Sequence, residues 1–349
     1  MDLPYWIYKD CFIFRADFDG SILDYLDVIV QYDKLIFSNY NDLEISIKEI
    51  LDEKNINYSK FIGSKFNKPL ANSLDKLTNL KVLTFGSKFN KPLANSLDKL
   101  TNLTQITFGH NFNEPLTNSL DQLTNLTQIT FGYYFDTQLT NSLDQLTNLT
   151  QITFGYEFNQ PLANSLNKLM NLTHMTFGGS FNQPLSNSLD QLINLTHITF
   201  GYYFNQPLSN SLDKLINLTH LFFDFGFNQP LNNVLYCLTK LEHLKLGVKF
   251  NQESTLPPNI KILSLSYDSK NLIDLLPNSI EQLNLYFPFK CRLDNLPNSI
   301  KKISFYNYSY SDDYNNPLNN LPESLELLEL PRNYKLEIKN TPPNCKIIK

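Results

Sequence analysis

The sequence predicts a tandem-repeat solenoid with a parallel β-sheet on its concave face and short 3₁₀ or irregular segments on its convex face. A Phe-Asn dipeptide recurs at a constant interval, from Phe66 to Phe89 to Phe112 and on to Phe250, with Phe135-Asp136 at the single position that departs. The segment 118–132, NSLDQLTNLTQITFG, recurs unchanged at 141–155. A fixed period of this length is typical of solenoids, in which neighbouring repeats share one core.

The end of each repeat predicts a short strand. At the end of residues 123–131 apolar and polar residues alternate, which is the signature of a short strand with one buried face. We therefore expect Leu126, Ile129 and Phe131 to point inward. Gly132 follows the strand, and its column of glycines predicts a tight turn with unusual backbone angles.

The rest of each repeat predicts the returning, convex segment. Phe135, Leu139 and Leu143 should fill the core from that side. A proline recurs in this stretch and excludes a long helix; it stands at Pro69, Pro92, Pro115, Pro161, Pro184, Pro207 and Pro230. The Asn of the Phe-Asn pair has a short amide, so we expect a ladder of Asn side chains bonded to the backbone of neighbouring coils.

The pattern divides the chain into three segments. Residues 61–250 hold nine repeats of this constant length, and residues 251–349 hold shorter units that begin with Leu-Pro, as in LPNSIEQLNL at 276–285. We expect Leu283 and Leu285 to point inward there. Residues 1–60 precede the repeats; WIYKDCFIFRADF at 6–18 is strand-like, and only Ile45–Asn55 indicates a helix.

The repeats resemble a known family. FNQPL at 181–185 and 204–208, with LPNSI at 276–280 and 296–300, is similar to the FNIP repeat, a variant of the leucine-rich repeat found in slime moulds and giant amoebal viruses. The resemblance covers about residues 60–345. It implies a leucine-rich-repeat-like solenoid used for protein–protein contact. Several family members are expected to carry an F-box before the repeats, which links a bound target to ubiquitin ligation.

Residues 1–60 do not match the F-box pattern of three amphipathic helices. Leu3-Pro4 is present, but the following residues are aromatic and strand-like. We therefore predict that residues 1–60 form a capping region that covers the end of the solenoid, because terminal repeats need a polar outer face. A divergent F-box is the alternative.

Charge and composition narrow the partners. The formal net charge is −5, and no run of Lys or Arg marks a path for phosphates, so we predict no nucleic-acid partner. The N-terminal residues do not read as a signal peptide, and no apolar run is long enough to span a membrane. We expect a cytoplasmic protein, in the host cytoplasm if it is viral, with no membrane partner.

Sequence motifs of catalysis are missing. The sequence contains no GxSxG, GxxxxGK, HExxH or GxGxxG. Its four cysteines lie far apart and form no CxxC pair. We therefore predict a protein that is not an enzyme, with no cofactor, no metal and no small-molecule substrate. The partner we expect is a protein whose identity the sequence does not give.

The outward strand positions are the candidate binding residues. Because repeats stack in register, each outward position becomes a column. The first column begins at Val82 and continues through Gln105, Gln128, Gln151, His174, His197, His220 and His243. The second includes Thr130, Thr153, Thr176, Thr199, Phe222 and Lys245. Tyr134 and Tyr203 belong to a group of tyrosines just after the strands, which are either partner anchors or a solvated edge.

The histidine column permits several interpretations. Strands about 4.8 Å apart would bring the four imidazoles into a ladder of neighbouring rings. Such a ladder could bind an acidic partner or lose affinity as the rings charge together at low pH. A metal site is disfavoured because a flat ladder lacks tetrahedral convergence. The simplest alternative is that His replaced Gln in one ancestral repeat and was then copied.

Three functional hypotheses follow. The first is a non-catalytic scaffold that binds a protein on the concave sheet. The second is the substrate-recognition subunit of a ubiquitin ligase, with residues 1–60 binding the ligase. The third is that the near-identical central repeats have no selected ligand, in which case the positions that depart from the repeat, such as Phe222, His243 and Lys245, are where a site would lie.

Overall fold

The structure is a computed structural model that describes residues 3–37, 64–232, 234–266, 270–287, 289–306 and 314–349. The chain forms two compact units, residues 1–178 and residues 179–349. Each unit is a β-solenoid whose strands pair in sequence order. This confirms the predicted fold class.

The described residues of unit one, 3–37 and 64–178, form eight strands and little helix. β1 and β2 form an antiparallel hairpin, and β2 to β8 are parallel. The elements are β1 (Tyr5–Tyr8), β2 (Cys11–Phe14), a 3₁₀ turn (Ile22–Tyr25), α1 (Leu26–Ile29), β3 (Lys34–Phe37), β4 (Val82–Thr84), β5 (Gln105–Thr107), β6 (Gln128–Thr130), β7 (Gln151–Thr153) and β8 (His174–Thr176).

The part of unit two that the structure describes also forms eight strands, and all of its described pairings are parallel. Its elements are β9 (His197–Phe200), β10 (His220–Phe223), β11 (His243–Lys245), β12 (Ile262–Ser266), α2 (Lys270–Ile273), β13 (Gln282–Tyr286), β14 (Lys302–Tyr306), β15 (Leu327–Glu329) and β16 (Lys346–Ile348). None of the helices in the described parts of the chain is long or apolar enough to cross a membrane.

The predicted inward residues form the core. Leu126, Ile129 and Leu283 are fully buried, and Phe131 is 4% exposed. Phenylalanines from the strand end and from the returning segment stack in two columns. In unit one, Phe131 and Phe135 lie 4.3 Å apart between ring centroids, and each ring stacks on its equivalent in the neighbouring coils. Buried aromatic rings therefore join successive coils.

The glycine after each strand is needed for a different reason from the one that the sequence predicts. Gly109, Gly132 and Gly155 do not have left-handed backbone angles. Instead, a Cβ added at Gly132 would overlap the carbonyl oxygen of Gly109 in the neighbouring coil and lie 2.6 Å from its carbonyl carbon. Glycine is required because two backbones approach closely, not because the turn is strained.

The left-handed backbone angles occur on the returning segment. Asn118 and Asn141, in the Asn-Ser pairs, have φ of 58° and 59°. Asparagine tolerates this region better than most residues because its short side chain bonds locally. Around it the chain makes successive three-residue turns, as from the Ser119 amide to Leu116 and from Leu123 to Leu120. The predicted 3₁₀-like convex segment is confirmed.

Polar side chains join the coils in ladders. The backbone N–H of Asn113 donates to Oδ1 of Asn90 (2.9 Å), and the backbone N–H of Asp136 donates to Oδ1 of Asn113 (2.8 Å). This confirms the predicted Asn ladder in unit one, and the same bonds recur in unit two from Asn205 to Asn182 and from Asn228 to Asn205.

An Asn-Leu-Thr triplet stands directly before each of the strands β5 to β10, and these triplets supply two more ladders. Nδ2 of Asn148 donates to the carbonyl oxygen of Thr124 (2.9 Å), one coil earlier. Oγ1 of Thr150 donates to the carbonyl oxygen of Thr127 (3.0 Å). The triplet is therefore structural, because both of its polar side chains complete the backbone bonding of the preceding coil.

The N-terminal residues enter the sheet of unit one. Phe12 and Phe14 are buried, and Phe14 stacks on Phe37 with ring centroids 5.1 Å apart. The strand-like prediction for residues 6–18 is thus confirmed. The helix predicted at Ile45–Asn55 lies outside the described residues. The division into segments 1–60, 61–250 and 251–349 stays a prediction.

Candidate partner-binding faces

The outward residues of the strands define a strand face in each unit. In unit one the registers place Gln105, Gln128, Gln151 and His174 at one position. The two glutamines of β6 and β7 and His174 are exposed. Thr130, Thr153 and Thr176 fill the second position and are half-buried. This face is uncharged between β5 and β8 and nearly uniform.

The strand face of unit two is more varied. The registers align His197, His220 and His243 at the first position. Thr199, Phe222 and Lys245 are aligned at the second, where β4 to β8 of unit one carry threonine. The predicted columns are therefore present within each unit, with His174 in unit one and the other three histidines in unit two.

The histidine rings in unit two are close neighbours. The centroids of His197 and His220 lie 4.0 Å apart with the rings nearly parallel. The rings of His220 and His243 lie 5.5 Å apart and are tilted by 59°. Two positive imidazolium rings at this separation would repel each other. The three rings form a run of neighbouring imidazoles along the strand face of unit two.

Threonine hydroxyls fix the orientation of the rings. Oγ1 of Thr219 lies 2.9 Å from Nδ1 of His220 and donates its only proton to the carbonyl oxygen of Thr196 (3.0 Å). The hydroxyl oxygen then accepts from Nδ1–H of the ring. His174 has the same arrangement with Thr173 and the carbonyl oxygen of Thr150. A threonine hydroxyl at Nδ1 thus orients each of these two rings.

His243 is held neutral more strongly than an ordinary histidine. Burial, followed by the nearby charges of His220 and Lys245, lowers its pKa from 6.5 to about 4. Its Nε2 lies 3.3 Å from Oγ of Ser264. At neutral pH this ring contributes a polar edge and no charge.

Two aromatic side chains and one lysine lie beside His243. The ring of Phe222 meets the ring of His243 edge to face at 4.5 Å. Nζ of Lys245 lies 5.0 Å from the ring centroid of Tyr286, and Tyr286 stacks on Tyr306 at 4.8 Å. A cation over an aromatic face is a favourable pair. Tyr286 was not among the predicted site residues.

The tyrosines after the strands form an aromatic rim in each unit. In unit one Tyr133 stacks on both His110 and Tyr156 at 4.8 Å, and Tyr134 packs edge-on against Tyr133. In unit two Tyr202 stacks on Phe225 at 4.7 Å and packs edge-on against Tyr203. His110 and Phe225 were not among the predicted rim residues, although each stands one repeat away from a rim tyrosine.

Metal and thiol chemistry has few candidates in the described ranges. These residues contain no group of three or more His, Cys, Asp or Glu side chains that could hold a metal ion. Cys11 and Cys291 are buried thiols, and Cys237 and Cys345 are half-buried thiols.

The turn side of each unit is the side formed by the segments that return between strands. In unit two it holds an apolar groove lined by Leu235, Tyr236, Leu256 and Pro257, and Tyr236 is 86% exposed.

Comparison with solved structures identifies the fold. The giant-virus protein CroV588, described as a novel circular leucine-rich-repeat protein, matches with a TM-score of 0.72 and 25% identity, over 99% of this chain and 50% of that one. The fold is that of leucine-rich-repeat proteins. No family model and no curated protein matches the sequence.

More distant structures share the same fold. A chain of the glycosylated Toll–Spätzle complex from Drosophila matches with a TM-score of 0.58 and 15% identity, over 94% of this chain and 48% of that one. An internalin, InlF, from Listeria monocytogenes matches with a TM-score of 0.51 and 16% identity, over 97% of this chain and 86% of that one. This chain spans about half the length of CroV588 and of the Toll–Spätzle chain.

These comparisons support the leucine-rich-repeat solenoid and the typical use of such folds as interaction scaffolds. They do not test the residues of the two strand faces. They also give no support to the exclusion of nucleic acid that we drew from net charge. That exclusion stays a prediction.

Proposed function

We propose that this protein is a non-catalytic scaffold that binds a protein partner on the strand faces of its leucine-rich-repeat solenoid. The observation that carries the proposal is the contrast between the two sides of each coil. On the turn side, Asn and Thr side chains are used to join coils. On the strand face, Gln128, Gln151 and His174 are exposed.

The same reasoning favours a non-catalytic role. A catalytic site brings unlike polar groups together in a concave pocket with shifted pKa values. The strand faces instead present one residue type repeated along a column, as with Gln128 and Gln151 in unit one. Repetition suits a contact surface, which gains affinity from area and complementarity. We further propose that the repeats are the FNIP variant and that the protein acts in the cytoplasm.

The ubiquitin-ligase hypothesis has less support. An F-box would need three amphipathic helices before the repeats. Described residues 3–37 instead form three strands, one 3₁₀ turn and the short helix α1, and β2 and β3 pair with the repeat sheet. This arrangement favours a cap over an adaptor-binding domain.

A face-swap comparison tests the proposal. One variant places Glu on the strand faces (Thr153→Glu with Thr199→Glu), and its matched control places Glu on exposed turn-side positions (Thr147→Glu with Ile216→Glu). Each variant is used to capture proteins from an amoebal lysate, with quantitative mass spectrometry. We expect a partner held by the intact chain and the turn-side variant to be lost from the strand-face variant. Loss only from the turn-side variant would contradict the proposal.

A further inference from the structure

The strand face of unit two departs from the repeat pattern at two adjacent positions. The column holds threonine at Thr107, Thr130, Thr153, Thr176 and Thr199, and then changes to Phe222 and Lys245. β10 and β11 are paired so that these two residues are direct neighbours. The change places a large apolar ring beside a cation at positions where strands β4 to β9 carry threonine.

Five side chains around this change form a basic-aromatic patch: His220, Phe222, His243, Lys245 and Tyr286. All five are half-buried and face outward. The ring of Phe222 contacts His243 at 4.5 Å and His220 at 5.8 Å. The rings thus support one another, and Lys245 is positioned over Tyr286.

The charge of this face is opposite to that of the whole protein. The outward strand residues of unit two include Lys245, Lys302 and Lys346 but only one carboxylate, Glu329. Glu329 pairs with Lys302 at 3.1 Å. No carboxylate among the described residues pairs with Lys245. The net charge of the chain is −5, but this face is positive. It is therefore complementary to an acidic partner.

We propose that the basic-aromatic patch binds an acidic segment of a protein partner, with a Glu or Asp carboxylate on Lys245 and an adjacent apolar side chain on Phe222. This inference rests on the proposed function and names the chemistry of the partner. A half-buried ammonium next to aromatic rings is less hydrated than a fully exposed one, so its pairing with a carboxylate is stronger. The ring edges of His220 and His243 supply polar contacts beside it.

A single-stranded nucleic acid is the competing ligand for a surface with aromatic rings and lysines. Nucleic-acid binding requires several cations spaced along the phosphate backbone. On this face one of the three lysines is already paired with Glu329, and no arginine is present on the described strands. The patch is therefore better suited to one carboxylate than to a phosphate chain.

The test uses fluorescence anisotropy with the full chain and three labelled probes. The first probe is a peptide with four Glu-Ser-Leu repeats, the second has Gln in place of each Glu, and the third is a single-stranded uridine RNA of equal length. We expect the Glu peptide to bind at least tenfold more tightly than the Gln peptide and the RNA. We expect this binding to weaken as salt is raised.

Variants that restore the repeat consensus locate the binding. Lys245→Thr and Phe222→Thr introduce the residue found in the same register at Thr153 and Thr199, so both variants should keep the fold, which circular dichroism checks. We expect Lys245→Thr to weaken binding of the Glu peptide about fivefold, the equivalent of about 1 kcal/mol for a charged pair. Thr124→Ala with Thr147→Ala, at exposed positions of unit one outside its strand face, should leave the affinity unchanged.

Two results would overturn the inference. One is equal affinity of the intact chain and Lys245→Thr for the Glu peptide, including the case in which neither binds it. The other is tighter binding of the RNA, which would make the patch a nucleic-acid surface. Neither result decides the proposed function, because the face-swap comparison measures capture of a lysate protein by both strand faces, whereas these probes measure one peptide on the patch.

Discussion

Replacement of Gly132 by alanine tests the packing of one coil on the next. The added Cβ would lie 2.6 Å from the carbonyl carbon of Gly109, whereas two carbon atoms in contact prefer about 3.5 Å. The two coils must therefore separate by about 1 Å at this point. Away from left-handed angles a Gly→Ala change usually stabilises a protein, by about 0.4–1 kcal/mol. Here the close approach reverses the sign.

The size of the effect follows from the bonds around Gly132. Three hydrogen bonds join the same two coils: the Phe108 amide to the Thr130 carbonyl (2.8 Å), the Tyr134 amide to the His110 carbonyl (2.9 Å) and the Asp136 amide to Oδ1 of Asn113 (2.8 Å). An extra 1 Å would stretch each bond beyond about 3.5 Å and break it. At about 1 kcal/mol each, the loss is about 3 kcal/mol.

Urea denaturation followed by circular dichroism measures this loss. Gly20→Ala is the matched control, because a Cβ there meets only the side chain of Phe18, with the nearest atom at 2.8 Å, and no neighbouring backbone. We expect a clear fall in the unfolding midpoint for Gly132→Ala and a change below about 1 kcal/mol for Gly20→Ala. An unchanged or higher midpoint for Gly132→Ala would refute the close-approach explanation.

Three further predictions concern the ladders, the aromatic core and His243. Asn148→Asp removes the Nδ2 donor to Thr124 and should destabilise the protein by about 1–2 kcal/mol in urea denaturation, whereas Gln145→Glu, the same charge change at an exposed position, should have little effect. Phe135→Leu removes the ring that stacks on Phe131 and should lower the unfolding free energy by about 1–3 kcal/mol in the same assay. The NMR titration of His243 should have its midpoint near pH 4, whereas the unfolded chain should titrate near 6.5. The unfolded state then binds more protons between these values, so stability should fall as pH is lowered from 6.5 to 4, and His243→Gln should remove that part of the fall.

Each of these predictions can fail distinctly. Equal midpoints for Asn148→Asp and Gln145→Glu would mean that the triplet amide does not stabilise the coil. Full stability of Phe135→Leu would mean that the ring stack can be repacked at no cost. A His243 midpoint near 6.5 would show that the ring is solvated, and the pH dependence of stability would then have another source.

Much of the fold could be predicted because the repeat itself carries the information. The spacing of Ile129 and Phe131 predicts their burial, since alternation along a strand fixes which residues face inward. The period then places equivalent residues of neighbouring coils in register, which is why the Asn ladder was predictable. These inferences need only the order of the residues and the geometry of a strand.

The contacts between coils were less predictable. Glycine in a turn usually indicates unusual backbone angles, but at Gly132 the cause is the position of the Gly109 carbonyl, which depends on how closely the coils stack. The ring orientations of His197 and His220 depend on the hydroxyls of Thr196 and Thr219, which the column pattern does not show. The sequence located the candidate faces, but their geometry required the coordinates.

The choice of binding face can be measured directly by photo-cross-linking. Benzoylphenylalanine replaces Phe222 on the strand face in one full-length protein, and in a second it replaces Tyr236, the exposed aromatic residue beside the turn-side groove. Both proteins are irradiated in the amoebal lysate, and cross-linked proteins are identified by mass spectrometry. Our account predicts a specific cross-linked partner from position 222 and not from position 236. A partner cross-linked only from position 236 would contradict the claim that the strand face is the binding surface.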